Sequence, residues 1–174
     1  MRIYLIGFMG SGKSTFAKRL AQYLDYDLAD MDHLIEQVEK HSIPEIFQLH
    51  GEEYFRRTES DVLHSTLLFE NAVIACGGGT PCYFDNMDWM NKRGITVYLH
   101  QTAERLFGRL REKKNKRPLI AHMEDGQLRD YIIQKLAERE AFYLQSKIVA
   151  EMDKISKNDL MRMIKEHIKV ASGS

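Results

Sequence analysis

The hydrophobic and polar positions of the chain change their period near residue 13, and this change predicts a strand followed by a helix. Residues 3–6 are all apolar, a composition typical of a strand buried on both faces. From Lys13 onward, apolar residues recur at intervals of three and four, at positions 16, 17, 20, 21 and 24. That spacing places them on one face of a helix.

The alternation of strand and helix continues along the chain. Four more short strands are predicted at residues 26–29, 72–75, 95–99 and 147–150. Helical patterns separate them, at 31–40, at 44–49, after Gly51, from Thr102 and in the segment that carries Leu160, Ile164 and Ile168. This order predicts an α/β fold of three layers (α/β/α), in which a central five-stranded parallel sheet has helices on both faces.

The loop between the first strand and the first helix carries the most specific motif. Residues 7–14 read Gly-Phe-Met-Gly-Ser-Gly-Lys-Ser, which fits the phosphate-binding pattern G-x-x-x-x-G-K-[ST]. Its glycines let backbone N–H groups wrap an anion, and the helix N-terminus adds partial positive charge. The motif predicts binding of a nucleoside triphosphate, with Lys13 reaching the terminal phosphates and Ser14 holding Mg²⁺.

Two segments interrupt the regular pattern, at about residues 31–62 and 111–126. The second begins with a dense basic run that ends at Pro118. Charge runs are usually solvated loops, but phosphoryl transfer requires that water be excluded and charge neutralised. Because the phosphate loop is present, we favour a lid here. We expect one domain, residues 1–174, with two insertions.

The composition narrows the possible partners. Lys and Arg number 25, as do Asp and Glu, and the formal net charge is zero. This balance argues against nucleic acid or an anionic membrane as the main partner. The sequence has no long apolar run and no signal-peptide pattern. Its two cysteines, Cys76 and Cys82, lack C-x-x-C spacing, which favours reduced thiols in a cytoplasmic protein.

Two acidic residues follow the second predicted strand. Ligands of open parallel sheets bind beyond the carboxyl ends of the strands, and alternation would put Asp30 and Asp32 on the same side of an extended chain. Asp30 could then serve Mg²⁺, and Asp32 could accept a proton from an attacking hydroxyl. The alternative is that one of them only caps the next helix.

An arginine and a run of glycines suggest how an acceptor could be recognised. Arg56 and Glu59 are three residues apart on a predicted helix, so Glu59 could orient the guanidinium toward a substrate carboxylate. The alternative is an exposed ion pair of little value; Arg57 points elsewhere and is expected to be exposed. Three consecutive glycines, 77–79, would allow a small molecule to approach the backbone closely.

With these motifs in place, the chain resembles the shikimate kinase family over most of its length. The resemblance rests on the order and spacing of several motifs together: the phosphate loop, Asp30-Met31-Asp32 with Ile35-Glu36, Ile43-Pro44-Glu45-Ile46-Phe47, Gly51-Glu52-Glu53-Tyr54-Phe55-Arg56 with Glu59, the three glycines, Arg117-Pro118-Leu119, and Arg139 with Tyr143.

The resemblance implies a reaction in which ATP phosphorylates the 3-hydroxyl of shikimate, giving shikimate 3-phosphate and ADP in chorismate and aromatic amino acid biosynthesis. It implies catalytic roles for Lys13, Asp32 and Arg117, and Mg²⁺ held by Ser14 and Asp30. The implied ATP site comprises Gly10, Ser11, Gly12, Lys13, Ser14, Thr15 and Arg117, and the implied shikimate site comprises Asp32, Arg56, Gly77, Gly78, Gly79 and Arg139. Segment 31–62 would be the substrate-binding subdomain and 111–126 the lid.

The expected protein is a cytoplasmic monomer whose partners are ATP and shikimate, with no nucleic acid or membrane. The alternatives are a kinase of the same fold for another small acceptor, such as gluconate or a nucleoside monophosphate, and a non-catalytic ATP-dependent switch. The residue that stacks on adenine stays open between Arg109 and Arg111, and the loop at 153–158 lacks the glycine or proline often found near the base.

Overall fold

The apolar run near the N-terminus forms β1 (Arg2–Ile6), the central strand of a parallel sheet. The computed structural model describes residues 1–114, 117, 119–171 and 173. In it, β1 pairs with β3 (Ala72–Ala75) and with β4 (Ile95–His100). Beyond these lie β2 (Asp27–Asp30), next to β3, and β5 (Ile148–Glu151), next to β4. The order is therefore β2-β3-β1-β4-β5, and the predicted five-stranded parallel sheet is confirmed for the described residues.

Helices cover both faces of this sheet. Those in the described part of the chain are α1 (Lys13–Leu24), α2 (Met31–Glu39), α3 (Ile43–Ser65), α4 (Asn86–Arg93), α5 (Ala103–Lys113), α6 (Asp125–Tyr143) and α7 (Lys157–Ala171). Two single turns of 3₁₀ helix occur as well, at Thr66–Leu68 and Thr80–Cys82. None of these helices is long and apolar enough to cross a membrane.

The core follows the alternation of side chains along the strands. In β1, Ile3 and Leu5 pack in one cluster with α1 and α7, whereas Tyr4 and Ile6 pack in another with α2, α3 and α4. A third cluster joins α5 and α6 around Phe8, which directly follows Gly7, the first glycine of the phosphate loop. The loop after β1 is therefore anchored to the helices beside it.

The parallel arrangement brings three loops to one edge of the sheet. The loop after β1 begins at Gly7, the chain after β2 carries Asp30 and Asp32, and the loop after β3 carries the three glycines. Because parallel strands end at the same edge, all three motifs meet there.

Two helices, α4 and α6, were not predicted. In α6 the apolar residues do not keep to one face, since Leu128 and Ile132 are buried while Ile133 is 51% exposed. The break predicted at Gly51 is confirmed: it interrupts α3, with φ of +79°. That conformation is open to glycine and rare for residues with a Cβ.

Candidate active site

The loop after β1 closes on itself and leads directly into α1. Gly10 and Gly12 have φ of +80° and +96°, values that glycine adopts without steric cost. The N–H of Ser11 donates to the carbonyl of Phe8 at 3.1 Å. Since α1 begins at Lys13, the positive end of the helix dipole points at the loop and favours an anion there.

Lys13 lies against the carbonyl groups of its own loop. Its Nζ donates to the carbonyl oxygens of Gly7 at 2.6 Å and Phe8 at 3.0 Å. Burial lowers the pKa of Lys13 to about 8; Asp32 opposes this effect, and Arg117 reinforces it. A phosphate bound beside the ammonium group would raise this pKa again, because a nearby negative charge favours the protonated form.

Asp30 makes contacts that fit both of its predicted roles. Its Oδ1 accepts hydrogen bonds from the N–H groups of Asp32 at 3.0 Å and His33 at 3.4 Å, so it caps α2. Its Oδ2 accepts from the hydroxyl of Ser14 at 3.4 Å. Capping therefore uses one oxygen and leaves the other facing the phosphate loop.

Asp32 reaches the site from a helix rather than from a strand. The strand alternation expected for Asp30 and Asp32 is wrong, because β2 ends at Asp30 and Asp32 lies in the first turn of α2. Loss of hydration raises the pKa of Asp32 to about 6, and the carboxylates of Asp30 and Glu59 add to this rise, while Lys13 opposes it. At neutral pH the group is ionised, with a basicity suited to accepting a proton.

A cavity of about 440 Å³ lies between the phosphate loop, the carboxyl ends of β2 and β3, and the end of α5. Most of the predicted site residues line it: Gly10, Gly12, Lys13, Ser14, Thr15, Asp30, Asp32, Gly77, Gly78 and Arg117. Ser11 is buried at 3% exposure. The remaining predicted residues, Arg56, Gly79 and Arg139, do not line this cavity and belong to the region beside it.

Arg56 is held by two glutamates on its own helix. Its Nη1 donates to Oε2 of Glu59 at 2.8 Å, while its Nε and Nη2 both lie 3.3 Å from Oε1 of Glu52. The side chains of Arg56 and Glu59 are only 11% and 1% exposed. The alternative of an exposed Arg56–Glu59 pair is therefore wrong, whereas Arg57 is 69% exposed, as expected.

Each of the three glycines after β3 makes room for a charged side chain. A Cβ added to Gly77 would lie 2.7 Å from Oε1 of Glu59, and one on Gly78 would lie 3.2 Å from Nη1 of Arg139. On Gly79 it would lie only 2.5 Å from Nη1 of Arg56. The glycines thus allow the acidic and basic groups of α3 and α6 to reach the backbone of this loop.

Arg139 is placed on the same loop by α6. Tyr143, one turn further along the helix, donates from its hydroxyl to the carbonyl of Gly78 at 2.5 Å. The Arg139 guanidinium carbon lies 5.7 Å from the ring centre of Phe8. No carboxylate forms an ion pair with Arg139 within the described part of the chain.

The predicted lid begins at the end of α5, and the two arginines considered for adenine differ here. Nη1 of Arg109 donates to the carbonyls of Gly10 and Ser11, both at 3.2 Å, and the residue lines the cavity. Arg111 instead pairs with Asp125 at 2.8 Å. Of the predicted lid, Asn115, Lys116 and Pro118 lie outside the described residues.

The sequence analysis missed three residues that fix the arginine site. Thr80 donates to Oε1 of Glu59 at 2.6 Å, and Tyr83 donates to Oε1 of Glu52 at 2.9 Å. Glu52 itself joins Arg56 as described above. Spacing along the helix could have singled out Glu52, four residues before Arg56, but no sequence signal links Tyr83 or Thr80 to α3.

Comparison with known proteins gives one consistent result. Residues 9–169 match the family model described as shikimate kinase. A shikimate kinase from Bacteroides thetaiotaomicron is 42% identical over 155 residues, 89% of each chain. The crystal structure of shikimate kinase from that organism superposes with a TM-score of 0.90 at 38% identity, covering 97% of this chain and 98% of the other. Shikimate kinase from Acinetobacter baumannii in complex with shikimate gives 0.84 at 33% identity, covering 98% and 93%.

Proposed function

The chain belongs to the shikimate kinase family, which phosphorylates shikimate with ATP in the shikimate pathway, and on this premise we propose how its residues share that reaction. The γ-phosphoryl group passes from ATP to the 3-hydroxyl, giving shikimate 3-phosphate and ADP. One observation carries the assignment: Lys13 and Asp32, a phosphate-binding cation and an ionised carboxylate, line the same cavity.

On the donor side, the phosphate loop holds the β- and γ-phosphates. The N–H groups of Gly10, Gly12, Lys13, Ser14 and Thr15 form the cradle, while the Ser11 N–H keeps the loop closed by its bond to the carbonyl of Phe8. The Lys13 ammonium group turns from its own loop carbonyls to the phosphates. Arg117, at the cavity wall, neutralises negative charge on the phosphoryl group during its transfer. Fixed cations at this point lower the barrier because the transition state spreads negative charge over the phosphoryl oxygens.

Mg²⁺ is the implied metal, and the residues at the predicted position fit it. Ser14 supplies a hydroxyl oxygen and Asp30 a carboxylate oxygen, 3.4 Å apart. Mg²⁺ prefers such oxygen ligands and is commonly held by one or two protein groups together with phosphates and water. When bound, it would neutralise phosphate charge.

On the acceptor side, Asp32 acts as the base. Its carboxylate accepts the proton of the 3-hydroxyl while the oxygen forms a bond to the γ-phosphorus and the bond to the ADP oxygen breaks. The raised pKa of Asp32, about 6, makes it a stronger base than an ordinary aspartate, yet leaves it ionised at neutral pH.

The carboxylate of shikimate binds to Arg56 and Arg139. A guanidinium has five N–H donors, and the bonds to Glu59 and Glu52 use three of those of Arg56. The two donors that remain can bind a carboxylate as a fork. Arg139 adds a second cation at Gly78, and the N–H groups of residues 77–79 complete the site.

Arg109 is our choice for adenine. It lies at the phosphate loop and on the cavity wall, whereas Arg111 is engaged by Asp125. A planar guanidinium at that point can stack on the base.

The organisation expected from the sequence belongs to the same proposal. Residues 31–62 form the subdomain that binds shikimate, and 111–126 form the lid that excludes water during transfer. None of the roles assigned above requires a second copy of the chain, and the proposal is therefore a monomer. A reaction that consumes ATP, and two free cysteines, favour the cytoplasm.

The test is ADP release with Mg-ATP and a panel of shikimate, quinate, gluconate and AMP. We expect turnover with shikimate, since its carboxylate and hydroxyls fit the two arginines and Asp32. AMP lacks a carboxylate and is expected to be inert. Turnover that does not depend on shikimate, or a preference for gluconate, would contradict the proposal.

A further inference from the structure

Tyr83 lies beside Arg56 although it comes from a distant part of the chain. It follows the 3₁₀ turn Thr80–Cys82 and precedes α4. Its position is fixed by the turn that follows, because the Asn86 N–H donates to the Tyr83 carbonyl at 3.3 Å. The side chain of Asn86 is bound in turn by the Thr80 carbonyl and the Ser60 hydroxyl.

The first of the two residues between Tyr83 and Asn86 supports a constrained turn. Phe84 has φ of +51°, a left-handed conformation that is uncommon for a residue with a large side chain. Its side chain is 61% exposed, whereas Tyr83 is half-buried. The turn therefore directs one aromatic ring inward and the next outward.

Tyr83 contacts both members of one ion pair. The Arg56 guanidinium carbon lies 4.3 Å from the centre of the Tyr83 ring, within the range of a cation–π contact. The Tyr83 hydroxyl donates to Oε1 of Glu52 at 2.9 Å, the same oxygen that accepts from Nε and Nη2 of Arg56.

Glu52 depends on a hydrogen bond from Tyr83 to hold its position more than Glu59 depends on any such contact, because Glu52 is more exposed. The Glu52 side chain is 57% exposed, whereas that of Glu59 is 1% exposed. An exposed partner four residues away on a helix contributes little by itself and holds no single geometry. The hydrogen bond from the Tyr83 hydroxyl is the largest single effect that lowers the pKa of Glu52, and the charge and the hydrogen bond of Arg56 lower it further.

We propose that Tyr83 is a positioning residue that holds Arg56 with its two remaining N–H donors directed at the substrate carboxylate. The Tyr83 ring restrains the plane of the Arg56 guanidinium, and the Tyr83 hydroxyl holds Glu52 against the edge of Arg56 that carries Nε and Nη2. The proposal rests on the assignment of Arg56 to the shikimate carboxylate made above. Tyr83 acts through Arg56 and has no contact with the reacting atoms.

Two variants separate the two contacts. Tyr83→Phe removes the hydroxyl and keeps the ring; Tyr83→Leu removes both. We expect Tyr83→Leu to raise KM for shikimate about five- to tenfold, which is only part of the cost of the lost cation–π contact and hydrogen bond, because Arg56 keeps its bond to Glu59. Tyr83→Phe is expected to raise it about two- to threefold. KM for ATP is expected to stay unchanged in both.

Tyr54 provides the matched control. It lies on α3, its hydroxyl donates to Glu39 at 3.0 Å and its ring packs on His50 at 4.5 Å, so it makes similar contacts away from Arg56. Tyr54→Phe and Tyr54→Leu are expected to keep the KM for shikimate of the unaltered protein. Thermal unfolding of all four variants reports any general loss of stability.

The decisive measurement is Tyr83→Leu in an Arg56→Lys background. If Tyr83 acts through Arg56, the second change adds less than about twofold to KM for shikimate. If Tyr83→Leu raised KM for shikimate in the Arg56→Lys background as much as it does alone, the proposal for Tyr83 would be overturned. An equal rise in KM for ATP, or an unchanged KM for shikimate in Tyr83→Leu alone, would overturn it as well.

Different results would contradict the proposed role of Arg56 and the proposed role of Tyr83. Unchanged KM for shikimate in Arg56→Lys alone would remove Arg56 from the carboxylate site, and the role of Tyr83 with it. A raised KM in Arg56→Lys with no effect of Tyr83→Leu would overturn only the role of Tyr83. If Tyr83→Leu does not fold, Tyr83→Phe in both backgrounds gives the same comparison.

Discussion

The donor and acceptor sides of the site are built in different ways. The phosphate-binding part of the donor side is one continuous stretch, residues 7–14, whose shape is set by the backbone of the loop and the start of α1. The acceptor side is assembled from Asp32, the Arg56 region of α3, the glycines after β3 and Arg139 on α6. Its geometry depends on ion pairs and on the space that three glycines leave.

This difference predicts which changes matter on each side. Backbone N–H groups of the loop bind phosphate whatever side chains surround them, so the donor side depends on the loop itself and on the two arginines assigned to the nucleotide, Arg109 and Arg117. On the acceptor side, side chains carry both binding and chemistry, and each is held by another side chain. Single substitutions there are expected to change KM for shikimate or kcat and to leave the binding of ATP largely unchanged.

The largest effect is expected from Asp32→Asn. An amide cannot accept the hydroxyl proton, and we expect kcat to fall about 10²- to 10⁴-fold. The dissociation constant of ATP, measured by titration calorimetry, is expected to change little because the phosphate loop is intact. Asp27→Asn is the control, since Asp27 is exposed at the start of β2, the strand that leads to Asp32. An Asp32→Asn variant that kept most of its kcat would rule out the base assignment.

A smaller effect is expected from Gly79→Ala. The new methyl group would lie 2.5 Å from Nη1 of Arg56, so the guanidinium must leave its glutamate partners. We expect KM for shikimate to rise about 10- to 100-fold, the value of charged hydrogen bonds lost on misplacing Arg56, with KM for ATP unchanged. In Gly108→Ala the methyl group meets nothing within 4 Å, and as a helix residue it is expected to preserve activity and slightly raise stability. Equal KM values in the two variants would contradict the steric argument.

The smallest effect is the pH dependence, which separates the two sides. Asp32 must be ionised, and its pKa is about 6, so kcat/KM for shikimate is expected to fall about tenfold per unit at pH values well below 6. Lys13 must be protonated, and its pKa is about 8, so kcat/KM for ATP is expected to fall above pH 8. Measuring kcat/KM against pH with each substrate varied in turn tests both expectations. If the fall at low pH disappears in Asp32→Asn, that fall is due to the titration of Asp32. An acid limb governed by an ordinary carboxyl pKa near 4 would contradict it.

The same contrast explains how much the sequence could predict. The five strands and the break at Gly51 come from local patterns, and the structure confirms them. The loop at residues 7–14 has the closed conformation that its glycines allow. The ion pair of Arg56 and Glu59 was accessible because helix geometry relates residues three apart. The position of Asp32 near the loop was also expected, although the strand alternation behind that expectation was wrong.

What the sequence could not show depends on contacts between distant segments. Gly79 was expected to let a ligand approach the backbone, and no sequence pattern showed that a Cβ there would meet Arg56, 23 positions away in the chain. Tyr83 touches Arg56 through a turn whose shape depends on Phe84 and Asn86. Helix α6 was missed because its apolar residues do not keep to one face, and with it the support that Tyr143 gives to Gly78.

The order of the strands has a consequence for how the protein loses function as it begins to unfold. Central β1 has a neighbour on each side, whereas β2 is an edge strand with Asp27 and Leu28 exposed. Edge elements open more readily than central ones, and amide hydrogen exchange reports the difference. We therefore expect the amides of β2 to exchange before those of β1. Partial opening would displace Asp30 and Asp32 first, leaving a chain that still binds nucleotide but no longer phosphorylates its acceptor.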